Sequence, residues 1–259
     1  MKAIVLTYDK YRCLTNHMIH QYRRRWPDNP FTFRIPYQKL SGRDEADREY
    51  IRCPSDIKTT MLALLDGLDD QEWIFWCIDD KYPTSLDMRA IESIVGWIRD
   101  CDDPSADGVL FCRPRKLTRQ KRLTGRQIST TDGATLLERK NYKCIWIHQF
   151  LRVKVLRHLF ESFPDDIPDA KSMDRLKEHI LKPDDHRLFV TEDTLVVFGE
   201  STSRGMLTKN CYRSLQKQGL PLPDWHNGEL AETNTHGKRP GRVARLLRNV
   251  VPTPAYRTS

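Results

Sequence analysis

The sequence predicts an α/β domain, with a mixed, mostly parallel sheet carrying helices on both faces. Two observations lead there. Apolar runs of strand length alternate along the chain with segments of helical period, and those runs are nearly all apolar, as strands buried on both faces are. Of the 259 residues, 39% are hydrophobic and six are tryptophan, enough for a sizeable core. The charged fraction of 30% is mixed in sign, which argues against disorder over the whole length.

Taken in order, residues 2–7 form an apolar run of strand type, and residues 16–25 read as a helix ended by Pro27, Asn29 and Pro30. Residues 31–36 alternate like a short strand, and the polar residues 41–49 read as a loop. Pro54-Ser55-Asp56 opens a helix whose apolar face is Ile57, Met61, Leu62, Leu64, Leu65 and Leu68. A run from Glu72 to Ile78 then stops abruptly at Asp79-Asp80. Ile91, Ile94, Val95 and Ile98 mark an amphipathic helix over 88–99, and 108–112 is another strand candidate. Residues 113–126 are strongly basic with little apolar period, and are expected as an exposed loop. Cys144 to Ile147 reads as a strand, followed by helices over 149–160 and 170–181. A last strand is expected at 194–198 and a last helix over 207–218, stopped at Gly219. From Trp225 onward Gly, Asn, Thr, Pro and Arg dominate, so the division expected is a domain over 1–222 and a basic extension over 223–259.

The seven cysteines are odd in number and include no C-x-x-C pair. With Cys77 and Cys144 in apolar runs, they suggest reduced, mostly buried thiols in a cytosol-like compartment. No stretch approaches the roughly 18–20 apolar residues of a spanning helix. The N-terminal apolar run, closed by Asp9, is far too short for a signal peptide. The location expected is therefore cytoplasmic. A formal charge of +8 implies an anionic partner, and nucleic acid, anionic lipid and a nucleotide diphosphate all satisfy it.

The most informative feature is Asp79-Asp80, two carboxylates where the most hydrophobic strand should leave its sheet. Ligands of open α/β sheets bind outside the carboxyl ends of strands. Acidic oxygens are what Mg²⁺ or Mn²⁺ requires, with a diphosphate supplying further ligands. The bland alternative is a polar turn. At the end of the first strand, Tyr8 and Asp9 could stack on a base and hydrogen-bond it, or form an ordinary strand-to-helix turn. Lys58 opens a helix, where a cation is disfavoured by the dipole; a phosphate partner explains it, and so does simple solvation. Transfer to a hydroxyl needs a group to take its proton. Candidates are Glu161, Asp165, Asp166 and Asp169, in a stretch that reads equally as a solvated Pro-rich loop, and His148 beside an apolar run.

The order of these features resembles that of GT-A glycosyltransferases, the nucleotide-diphospho-sugar transferase fold with its Rossmann-like sheet. The likeness covers roughly residues 1–222 and is nearest to small bacterial surface-polysaccharide transferases. It is carried by Asp79-Asp80-Lys81-Tyr82-Pro83-Thr84-Ser85-Leu86, read as an acidic pair leading through an aromatic into a helix. Trp146-Ile147-His148, Glu161-Ser162, and the stretch Phe198-Gly199-Glu200 to Lys209 follow in the same order. The resemblance implies a metal-assisted, inverting transfer of a sugar from a nucleotide-diphosphate donor, a UDP-sugar by preference, to a hydroxyl of a polysaccharide or lipid-linked glycan. It implies Thr7, Tyr8 and Asp9 as the nucleoside shelf, Lys58 near phosphate, Asp79 and Asp80 on Mn²⁺ or Mg²⁺ and diphosphate, and Glu161 as first choice of base. Asp169 and His148 come behind it. The pair here lacks a third aspartate two positions on.

Three rivals stay open. A nucleotidyltransferase normally shows a Gly-rich phosphate loop after the first strand, and no glycine lies between Tyr8 and Arg25. A non-catalytic nucleic-acid-binding protein would use the basic loop 113–126, which lacks interleaved aromatics for stacking on bases. A nuclease would need more converging carboxylates than the pair. Near the end, Arg242, Arg245 and Arg248 fall at spacing three, with Val243, Leu246, Leu247 and Val250 on another face. That pattern is a short basic amphipathic helix suited to the inner, anionic face of a membrane, or to packing on a neighbour.

Overall fold

The computed structural model describes residues 1–100, 106–112, 117, 122–167, 169–233 and 235–236. The C-terminal amphipathic helix expected over 238–251, and most of the basic stretch 113–121, lie outside the described residues. Within the basic run 113–126 expected as a loop, residues 123–126 belong to a strand.

The first half of the chain contributes β1 (Lys2–Leu6), α1 (Arg12–Arg25), β2 (Thr32–Tyr37), β3 (Arg48–Arg52), α2 (Ile57–Leu65), β4 (Trp73–Ile78), β5 (Lys81–Leu86) and α3 (Met88–Asp100). Then come β6 (Gly108–Leu110), β7 (Leu123–Ser129), β8 (Thr135–Arg139), β9 (Gln149–Arg152), α4 (Val153–Glu161) and α5 (Ala170–Leu176). The last are β10 (Leu188–Thr191), β11 (Val196–Glu200), β12 (Thr202–Ser203), β13 (Met206–Thr208), α6 (Lys209–Lys217), β14 (Leu230–Ala231) and β15 (Thr235–His236).

Nine strands make the central sheet in the order β3-β2-β1-β4-β9-β6-β10-β8-β7. β3, β2, β1 and β4 are parallel. β9 is reversed between β4 and β6, and β8 is reversed between β10 and β7. Leaving out those two, seven of the nine strands share one direction. The sheet is mixed and mostly parallel, as expected.

Period-two alternation decides which side chains face which layer. Along β4, Phe75 and Cys77 join Leu14, Met18, Tyr22, Ile91 and Ile94 in one core, contributed by α1 and α3. Ile74, Trp76 and Ile78 turn the other way, onto Met61 and Leu64 of α2 and Leu156 and Phe160 of α4. The result is three layers, helix–sheet–helix. Helix starts are capped from the sequence: Asp56 accepts from the Thr59 N–H at 2.7 Å, and Thr208 from the Cys211 N–H at 3.2 Å.

Three local expectations are corrected. Lys81 to Leu86 form a strand, not the approach to a helix. Pro83 cannot sit inside a helix, and here it lies on an edge strand paired only with β11. The close pairing needs Gly199, where a Cβ would lie 2.7 Å from the Tyr82 ring. Cys144 to Ile147 are not a strand; Cys144 takes a positive φ of 68°, and the strand is Gln149–Arg152, with the helix starting only at Val153. A four-residue apolar run cannot be told from a helix start by period alone. The polar β3 begins inside the expected loop 41–49, at Arg48, and escapes the strand pattern because it is a mostly polar edge of the sheet. Finally, residues 223–233 and 235–236, expected within the basic extension, carry pairings with the strands before them. β14 pairs with β13 and β15 with β11, and the Trp225 indole N–H donates to the Lys10 carbonyl at 3.1 Å.

The six described cysteines form no disulfide. No helix among the described residues is long and apolar enough to cross a membrane.

Candidate functional site

β1 and β4 are parallel neighbours, with Leu6 opposite Ile78, so their C-terminal exits open side by side. A cleft of about 480 Å³ lies over these exits. Its floor is Leu6, Thr7 and Tyr8 from β1 and Ile78, Asp79, Asp80 and Lys81 from the β4–β5 turn. Tyr11, Trp146, Lys171 and Asp174 stand round the rim. A shallower depression beside it, bounded by Asp9, Lys10, Gln38 and Lys39, shares Tyr8 and Tyr11 with the cleft. The two together have room for an extended ligand.

The floor is held by hydrogen bonds between residues far apart in sequence. The Thr7 hydroxyl donates to Asp79 Oδ2 at 2.6 Å and meets the Thr15 hydroxyl at 2.7 Å. Burial pushes the Asp79 carboxyl up to about 7, against the pull of the Thr7 hydrogen bond. Asp80 is held through its backbone, whose carbonyl accepts from Ser201 N–H at 2.6 Å. Its carboxylate is partly exposed, and the Lys81 ammonium lies 3.0 and 3.1 Å from its two oxygens. Lys81 itself is only 6% exposed.

The other expected residues divide sharply. Thr7, Tyr8, Asp79 and Asp80 meet in the cleft. Asp9 lies in the adjoining depression, but its carboxylate is already occupied. Oδ2 accepts from the N–H groups of Gln38, Lys39 and Leu40, and Oδ1 from Arg12. Burial alone would raise its pKa; these donors bring it below the usual carboxylate value. Asp9 therefore shapes the loop after β2. Lys58 does not line the cleft: its ammonium is bound to the Phe163 carbonyl and to Asp165.

His148, Glu161 and Asp169 are corrected as bases. His148 is wholly buried, with Nδ1 on the Tyr22 hydroxyl at 2.7 Å and Nε2 on the Ile78 carbonyl at 2.9 Å. Burial lowers its pKa to about 3, so it is a neutral core residue. Glu161 ends α4 on the outer surface, and Asp169 is spent as the N-cap of α5, accepting from the Ser172 N–H at 2.7 Å. Neither lines the cleft. Asp174 and Lys171 of the same helix do; at spacing three they share a face, a signal that was present once a helix was expected from 170.

A divalent ion on Asp79 and Asp80 requires about six oxygen ligands. Thr7 already engages Asp79, and Lys81 spans both oxygens of Asp80. Among the described residues no group of three His, Cys, Asp or Glu side chains is placed to hold a metal ion. The acidic pair by itself is not a complete ligand set for Mn²⁺ or Mg²⁺; the rest would have to come from a bound diphosphate and water.

No protein-family description and no curated protein matches the sequence. Solved structures with a similar trace include 4-diphosphocytidyl-2C-methyl-D-erythritol synthase from Anaerococcus prevotii, at 10% identity and TM-score 0.40 over 84% of this chain and 95% of that one. The 2-C-methyl-D-erythritol 4-phosphate cytidylyltransferase of Francisella tularensis has 10% identity and TM-score 0.39, over 78% and 94%. The galactosyltransferase LgtC, solved with donor and acceptor sugar analogues, has 12% identity and TM-score 0.36, over 71% and 68%. Likenesses this distant assign no reaction, which has to be argued from the cleft.

Proposed function

We propose that this chain is a glycosyltransferase that moves a sugar from a nucleoside-diphosphate donor, in the uridine form, to a hydroxyl of a polysaccharide or lipid-linked glycan. The observation that carries the reading is the cleft over the exits of β1 and β4, where aromatic faces, carboxylates and lysines converge. A nucleotide sugar has matching parts: a flat base, anionic phosphates and a polyhydroxyl ring. On this reading the base lies against Tyr8 and Tyr11, the phosphates over Lys81, and the sugar hydroxyls donate to Asp79 and Asp80.

The acceptor enters past Trp146 and Asp174. As the acceptor oxygen attacks the anomeric carbon, Asp174 takes its proton, the new C–O bond forms, and the bond to the phosphate oxygen breaks with its electron pair leaving on the diphosphate. Attack opposite the leaving group inverts the anomeric centre. Asp174 replaces Glu161 as first choice because it is, with Asp79 and Asp80, one of three carboxylates on the lining; Lys177 pairs with its Oδ1, so the proton goes to Oδ2. The basic segment 238–251 is the part that meets an anionic membrane carrying a lipid-linked acceptor.

Nucleotidyl transfer is the competing chemistry for the same ligand parts, and the products separate the two. Full-length protein incubated with a panel of nucleotide sugars and glycan acceptors should release a nucleoside diphosphate; release of pyrophosphate from a nucleoside triphosphate and a sugar phosphate would overturn the reading. Asp174→Asn should lower kcat by roughly 10²–10⁴-fold, the usual contribution of a general base, with donor affinity retained.

A further inference from the structure

We infer that Lys81 is the resident cation of the donor site, holding the diphosphate where a divalent metal would otherwise be needed. The inference rests on the donor reading above and adds to it the group that meets the leaving charge. Lys81 is the first residue of β5, directly after the acidic pair, and lines the floor of the cleft although almost no surface of its own is exposed. A buried lysine keeps its charge only if something opposes it. Here Asp80 does so, from 3.0 and 3.1 Å.

Three features make this a ligand site and not only an internal ion pair. An ammonium has three donors, and a carboxylate approached from one side leaves at least one of them unspent. That donor is in a cleft with an open mouth, where a phosphate oxygen can reach it. Next, the geometry disfavours a metal on the same carboxylate. A divalent ion bound to Asp80 would sit beside the Lys81 ammonium, which already lies 3.0 and 3.1 Å from the two carboxylate oxygens, and the like charges would repel. Lastly, one oxygen of Asp79 is engaged by Thr7, and no third acidic or imidazole ligand joins the pair among the described residues. Lys171 adds a second cation from the rim.

In this arrangement Asp80 is a positioning residue. It fixes the Lys81 head group, and the head group faces the oxygen that receives the electron pair when the anomeric C–O bond breaks. A fixed charge aimed at developing charge needs no rearrangement at that moment.

The test is binding of UDP and of inorganic pyrophosphate to the full-length protein by titration calorimetry, with EDTA and with Mn²⁺. The wild type should bind UDP with EDTA present, and Mn²⁺ should change the Kd by less than about twofold. Lys81→Met should weaken both probes by about tenfold or more, the usual scale for losing a charge-assisted hydrogen bond; Lys81→Arg should restore most of the affinity. The comparison of EDTA with Mn²⁺ uses the wild type alone, so a poorly folded variant does not obscure it. Binding that appears only with Mn²⁺ overturns the role of Lys81 and leaves the donor reading standing. If UDP, GDP, ADP, CDP and dTDP all fail to bind under both conditions, the donor reading falls and this inference with it.

Discussion

Two acidic clusters sit at opposite ends of the same sheet, and their difference separates structural charge from available charge. At the start of β6, Asp107 is fully buried; Lys154 lies 2.9 Å from its Oδ1, Arg152 3.6 Å away, and the Arg187 N–H donates to Oδ2 at 2.8 Å. At the exit of β4, Asp79 and Asp80 carry the same residue types, yet Asp80 keeps 43% of its side-chain surface exposed. The first cluster spends its charges on its own chain. The second leaves some of them facing a cleft. Composition alone does not distinguish them; the end of the strand at which each falls does, because the strand exits are where an open α/β sheet leaves room for a ligand.

The comparison breaks most severely at Asp107. Asp107→Ala takes from Arg152 its carboxylate partner, leaves Lys154 only Asp185 at 3.8 Å, and orphans the Arg187 N–H. A loss of about 3–5 kcal/mol is expected, the scale for removing one partner of a buried pair. Urea unfolding at pH 7 measures it, and a loss under about 1 kcal/mol would mean the cluster is better hydrated than its burial indicates.

Asp79 should give a smaller, pH-dependent effect of the opposite sign. Its folded pKa of about 7 lies above the ordinary 3.8. The folded state therefore holds the proton more tightly than the unfolded chain, and stability from this group is full below about pH 4 and lost as pH rises towards 7. Asp79→Asn resembles the protonated form and removes that loss. The variant should melt several degrees above wild type at pH 8 and level with it at pH 4. Equal melting temperatures at both pH values would show that the carboxyl is ordinary.

The smallest effect is expected at Glu161, the residue the sequence ranked first as a base. Exposed at the end of α4, Glu161→Gln should stay within about 0.5 kcal/mol of wild type, with transfer unaltered. A hundredfold fall in kcat would return Glu161 to the site and displace Asp174.

Much of the fold was legible in the residues. The apolar run of β4, the stripe of Ile91, Ile94, Val95 and Ile98, and the Asp56 cap are local signals, and each lies where the pattern put it. The misreadings share a cause. β9 is recognisable only by its position between β4 and β6, β3 only by its pairing with β2, and β5 only by the partner β11 that its edge finds. Half of the cleft was legible too, since Thr7, Tyr8, Asp79 and Asp80 end apolar runs. His148 was not legible as a core residue, because its two partners, Tyr22 and the Ile78 carbonyl, lie 126 and 70 residues away.

From sequence alone came the layered α/β plan and the acidic pair where the most apolar strand stops; hydrophobic period and turn chemistry act over a few residues and can be read there. Tertiary packing decided that Thr7 clasps Asp79 across 72 residues, that Lys81 turns inward beneath Asp80, and that α5 presents Asp174 and Lys171 instead of Asp169. Those outcomes depend on strand register and on which helix face covers which strand end, and both are set by contacts between segments far apart in the chain.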